Sequence, residues 1–108
     1  MTKHDDSFYL EGIAEHILAI RSYLPESKQE FIDDPLIQDA VLMRVMALGE
    51  EISHLSEDFM SKYPGQNWHK IVGLRNRIAH GYFEVDQEVI WDTLTGGSLD
   101  ELDDLSGR

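Results

Sequence analysis

Cysteine is absent from the 108 residues. That excludes disulfides and thiolate metal sites, and it fits a reducing cytoplasm. No apolar run approaches the roughly 20 residues that span a bilayer. The N-terminal stretch carries Asp5, Asp6, Glu11 and Glu15, the wrong charge for a signal peptide. We therefore expect a cytoplasmic protein that does not enter a membrane. Basic residues are also scarce. Nine Lys and Arg face 21 Asp and Glu, a formal net charge of −12. A generic RNA-binding domain is basic and gains affinity by displacing counterions. This chain should repel RNA at long range, and an acidic surface suits a basic protein partner. One further absence is local. Between Asp58 and Glu84 there is no acidic residue, while Lys62, Lys70, Arg75 and Arg77 all fall there.

The length suits one small domain, expected to span 1–108, with 1–4 and 97–108 left open as flexible ends. Apolar residues recur at helical spacing throughout. Leu10, Ile13, Ala14, Ile17, Ile20 and Leu24 form a stripe on a first helix capped by Asp5 or Asp6 and ended by Pro25. His16 sits off that stripe and is expected in solvent. Ser27 caps a short second helix, Lys28 to Asp33. Asp34-Pro35 opens a long third helix, expected to run to about Lys62. It bears two stripes: Ile37, Val41, Val45, Leu48, Ile52, Leu55 and Phe59, and also Leu36, Ala40, Met43 and Ala47. A helix apolar on two sides needs partners on two sides, so it is a central column or part of a dimer seam. Arg44, between apolar positions, is expected in an ion pair with Glu51. After a Pro64-Gly65 turn, Asn67 caps a fourth helix with Trp68, Ile71, Leu74 and Ile78 inward. Asp86 caps a fifth, Gln87 to Thr95. Past Gly96-Gly97, Ser98-x-x-Glu101 reads as a capping box opening a short acidic helix to about Leu105.

The richest stretch for chemistry is Gly73-Leu74-Arg75-Asn76-Arg77-Ile78-Ala79-His80-Gly81-Tyr82. Arginine is a permanent planar cation that matches phosphate oxygens. Histidine is the side chain best suited to exchanging protons near neutral pH. If the stretch is helical up to a left-handed cap at Gly81, Asn76 and His80 lie one above the other, and Asn76 can orient the imidazole. Arg75 and His80, five apart, diverge by about 140°. One helix does not aim both at one phosphate, whereas a second copy across a symmetric dimer supplies the missing side. Taken singly, each of these residues reads as a surface charge or a helix cap. Their combination in the acid-free segment favours an anion site.

Arg75, four residues, His80, one residue, Tyr82 resembles the R-x4-H-x-Y signature of HepT-like proteins, a branch of the HEPN domains. The flanks Leu48-Gly49-Glu50-Glu51, Trp68-His69-Lys70-Ile71-Val72-Gly73-Leu74 and Phe83-Glu84-Val85-Asp86 resemble that family too. The likeness covers roughly Phe8 to Leu94. It implies an all-α, single-domain antiparallel helical bundle with one long central helix, dimeric and HEPN-like. It also implies a metal-independent endoribonuclease without cofactors, the toxin of a type VII-like toxin–antitoxin pair. Its partner would be an MntA-like nucleotidyltransferase antitoxin that adenylylates the tyrosine matching Tyr82. On this reading Arg75, Asn76 and His80 are catalytic, and Arg77, Lys70 and Lys62 contact RNA phosphates. The alternative is a non-catalytic subunit that binds nucleotide or nucleic acid for a nucleotidyltransferase complex.

Overall fold

The computed structural model describes residues 5–63, 68–81 and 84–105. All regular elements among them are helical: α1 (Asp6–Tyr23), α2 (Lys28–Ile32), α3 (Pro35–Ser53), α4 (Glu57–Ser61), α5 (Trp68–His80), α6 (Gln87–Thr95) and α7 (Ser98–Leu105). The caps explain most of the boundaries. Asp5 accepts from the Phe8 amide, Ser27 from Glu30, Asp34 from Leu36 and Ile37, and Asp86 from Glu88. Each satisfies amides that a helix start leaves without partners. The Pro64-Gly65 turn and the Asn67 cap lie outside the described residues.

Helices α1 and α3 pair in opposite directions. Asp6 meets Ser56, Tyr9 stacks on His54 with ring centroids 5.0 Å apart, the Glu51 carboxyl lies over Gly12, and His16 meets Arg44. Helix α5 then runs antiparallel to α3, since Arg75 packs at Gly49 while Ile78 lies beside Leu42 and Met46. The core between these three comprises Ile13, Ile17, Ile20, Val41, Val45, Leu48, Ile52, Ile71, Leu74 and Ile78, all buried. Burying each of the larger side chains contributes about 1.5–3 kcal/mol before entropic costs. At one end, α2 and α6 meet through Phe31 and Trp91, whose ring centroids lie 5.7 Å apart, and through Lys28 and Asp92 at 3.0 Å. Helix α7 closes the bundle with Leu99 and Leu102 buried, and Arg21 of α1 binds Asp100 and, at 2.9 Å, Asp103. The C-terminal segment is thus part of the packed bundle as far as α7. Gly97 makes the α6–α7 corner with φ +99°, a conformation that favours glycine.

Three expectations need correction. The central helix does not run to Lys62. It stops at Ser53, and Ser56 starts α4 by accepting from the Phe59 amide. Asp6, fifty residues away, secures the break by accepting from both the Ser56 amide (2.8 Å) and its hydroxyl (2.6 Å). Arg44 does not pair with Glu51. Its Nη1 lies 3.1 Å from His16 Nδ1, and its guanidinium lies 6.0 Å from the Tyr23 ring centroid. His16 is accordingly half-buried rather than in solvent.

Burial and the Arg44 cation lower the His16 pKa below its ordinary value of 6.5, against smaller upward pulls from Glu51 and Glu15. The folded chain binds this proton more weakly than the unfolded one. The neutral ring therefore contributes fully above about pH 6.5, and its contribution is lost as pH falls through the depressed folded value. The melting temperature of the natural chain should drop more between about pH 7 and about pH 5 than that of His16→Gln, measured by circular dichroism. Equal drops would contradict this assignment.

Candidate functional site

The motif helix α5 buries Ile71, Leu74 and Ile78 and turns a polar face outward. That face runs His69, Lys70, Gly73, Asn76, Arg77 and His80, with successive steps of one and three, as one side of a helix requires. All of these except Gly73 are exposed. Among the described residues, and apart from the helix's own backbone and the residues next to it in the chain, no atom lies within 4 Å of where a Cβ on Gly73 would sit, so a ligand can approach the helix there. Asn76, Arg77, His80, Gly81, Glu84 and Val85 line a cavity of about 340 Å³ at the C-terminal end of α5. Lys70 shares the face with Arg77, while Lys62 is exposed at the end of α4. Neither lysine lines the cavity.

Arg75 points elsewhere. It is half-buried against α3, where Gly49 leaves room for its stem. A Cβ on Gly49 would lie 2.6 Å from Arg75 Cβ and Cγ. The guanidinium donates from Nη2 to Glu50 Oε2 (3.1 Å) and from Nη1 to Asn76 Oδ1 (3.0 Å). Glu50 also contacts His54 Nε2 through its other oxygen, at 3.2 Å. A guanidinium has more donors than these two bonds use, so it is oriented without being exhausted. Arg75 Nε is buried and has no partner among the described residues.

The structure therefore brings Asn76, Arg77 and His80 together and holds Arg75 on a neighbouring flank, as the divergence along one helix requires. Two local expectations change. Asn76 gives its carbonyl oxygen to Arg75 rather than holding the His80 ring. Gly81 does not take the left-handed conformation, because Gly97 alone among the described residues has a positive φ. Its amide donates instead to the Arg77 carbonyl (3.0 Å), continuing the helical pattern. Tyr82 lies outside the described residues. Glu50 and Glu84 escaped sequence reasoning. The segment is free of acids along the chain but not in space, since Glu50 of α3 reaches Arg75 and Glu84 lines the cavity. A glycine inside a strongly helical stretch was the signal that α5 comes close at Gly49. Among the described residues, no group of three or more His, Cys, Asp or Glu is placed to hold a metal ion.

The HepT-like ribonuclease family model matches residues 13–107. The chain belongs to the HepT-like family. A Thermococcus cleftensis protein named a probable ribonuclease HepT is 30% identical over 107 residues, covering 98% of this chain and 94% of its own. A Methanocaldococcus jannaschii protein whose name proposes an RNase is 34% identical over 93 residues, covering 85% of this chain and 77% of its own. A Caldanaerobacter subterraneus protein with a similar name is 32% identical over 85 residues, covering 74% and 76%. No solved structure matches significantly. Within the described residues, no helix of this HepT-like chain is long and apolar enough to cross a membrane.

The two glycines give opposite expectations. Alanine is a better helix residue than glycine by about 1 kcal/mol. Gly73→Ala, in open space, should raise stability by about that amount. Gly49→Ala must push α5 off α3 and should lower it by about 1–2 kcal/mol despite the same propensity gain. Urea unfolding checks both, and a stabilising Gly49→Ala would contradict the close approach.

Proposed function

We propose that this HepT-like chain is a metal-independent endoribonuclease, the toxin of a toxin–antitoxin pair, working as a homodimer. The observation that carries the reading is the placement of the R-x4-H residues. Asn76, Arg77 and His80 open on one cavity, and Arg75 is held ready beside it by Glu50. RNA carries its own nucleophile in the 2′-hydroxyl. Cleavage needs a base for that proton, an acid for the departing 5′-oxygen, and positive charge for the crowded phosphorus between them. The 2′-oxygen attacks phosphorus, the P–O5′ bond breaks, and the products are a 2′,3′-cyclic phosphate and a 5′-hydroxyl. His80 transfers a proton, and Arg75 stabilises the charge that builds on the phosphate oxygens. Asn76 fixes the Arg75 guanidinium, and Arg77, Lys70 and Lys62 attract the RNA backbone toward an otherwise acidic protein.

A second copy of the chain completes the site, because Arg75 and His80 diverge on α5. The second stripe of α3 supports this pairing. Leu36 and Met43 are 78% and 72% exposed and line one groove with Ala40 and Ala47, and a contiguous apolar patch of this kind marks an interaction surface. A groove of about 500 Å³, lined in part by Met43, Met46 and Ile78, continues that surface onto α5 itself. On this reading two copies joined there share the site, Arg75 of one chain acting with His80 of the other. The cognate antitoxin on this reading is an MntA-like nucleotidyltransferase that adenylylates Tyr82. A phosphate and an adenosine two residues from His80 would repel and obstruct an RNA phosphate.

Purified chain should cleave RNA in EDTA to cyclic-phosphate ends. His80→Ala should lose about 10²–10⁴-fold in rate. Met43→Asp should sediment as a monomer and lose most of its activity. Activity that needs added metal, or undiminished cleavage by His80→Ala, would refute the reading. Harmless expression of the natural chain would favour a binding subunit.

A further inference from the structure

We infer that Glu84 is the general base of the same cavity, and His80 its acid. This rests on the ribonuclease reading and adds to it a group that the motif does not contain. After α5 the Glu84 amide donates to the Gly81 carbonyl (3.0 Å). The Glu84 side chain lies against Gly81. A Cβ on residue 81 would lie 3.1 Å from Glu84 Oε2 and 3.4 Å from its Cδ, so glycine is what permits the carboxylate to settle there. The carboxylate consequently lines one cavity with His80, Arg77 and Asn76.

The chemistry of strand scission uses such a set in full. The Glu84 carboxylate accepts the proton of the 2′-hydroxyl. The freed oxygen bonds to phosphorus, and the P–O5′ electron pair leaves with the 5′-oxygen. The His80 imidazolium donates its proton to that oxygen. No charge or atom is left over once the two side chains exchange a proton through solvent. Arg77 lies in the same cavity to offset the carboxylate beside an incoming phosphate. A carboxylate with no proton-transfer role would only repel that phosphate, and removing it would speed binding and cleavage. The two roles therefore predict opposite effects of one substitution.

Initial rates of the full-length chain on a fluorescent mixed-sequence RNA oligonucleotide, followed across pH in EDTA, decide between them. Circular dichroism confirms folding of each variant. Glu84→Gln should lower kcat by about 10²-fold or more without raising KM, and should abolish the fall in rate on the acid side of the profile. Glu84→Asp should recover part of the rate and restore that acid limb. Unchanged kcat in Glu84→Gln, or faster cleavage with a lower KM, would overturn the assignment while leaving the ribonuclease reading intact. Undiminished cleavage by His80→Ala would instead bring down that reading, and this inference with it.

Discussion

The close contact between α3 and α5 at Gly49 is the constraint on which the arrangement of the site depends. Glycine lets the Arg75 stem lie against the α3 backbone, and the next residue, Glu50, takes the guanidinium. Since Arg75 is bound on this flank, the helix rotation places Asn76, Arg77 and His80 on the outward face. A buried apolar row of Ile71, Leu74 and Ile78 locks that rotation, because turning α5 would expose it. The same packing that stabilises the bundle therefore dictates where each polar group of the motif points.

Charge is distributed to similar effect. The protein is acidic overall, yet one helix face gathers His69, Lys70, Arg77 and His80. Two carboxylates flank that face. Glu50 restrains an arginine from behind, and Glu84 lines the cavity. On the proposed reading a phosphate meets a small cationic surface inside a repulsive field. That is compatible with an enzyme that must release its product, and it would suit a protein kept in check by a partner.

Much of the bundle was legible in the sequence, because helical periodicity and caps are local signals. The α1 stripe, the Ser27, Asp34 and Asp86 caps and the start of α7 all follow from near neighbours. Even the second stripe of α3 was visible, and Leu36 and Met43 are indeed left uncovered within one chain. The features that were not legible depend on distant partners. Ile52, Leu55 and Phe59 keep helical spacing across the α3–α4 break, and only Asp6 reaching Ser56 reveals why the helix stops. Arg44 chose His16 over Glu51 because α1 brings that ring alongside. Glu50 reached Arg75 across 25 positions of chain, which no reading of charge along the sequence anticipates.

The proposed site is shared: Arg75 of one chain acts with His80 of the other. A mixed dimer tests this most directly, formed by co-expressing an Arg75→Ala chain with a differently tagged His80→Ala chain and assayed for RNA cleavage after tandem purification. A shared site predicts that activity returns to about half that of the natural dimer, since one of the two composite sites regains both residues. A mixed dimer as inactive as either parent would contradict it, because each chain would then need its own arginine and its own histidine.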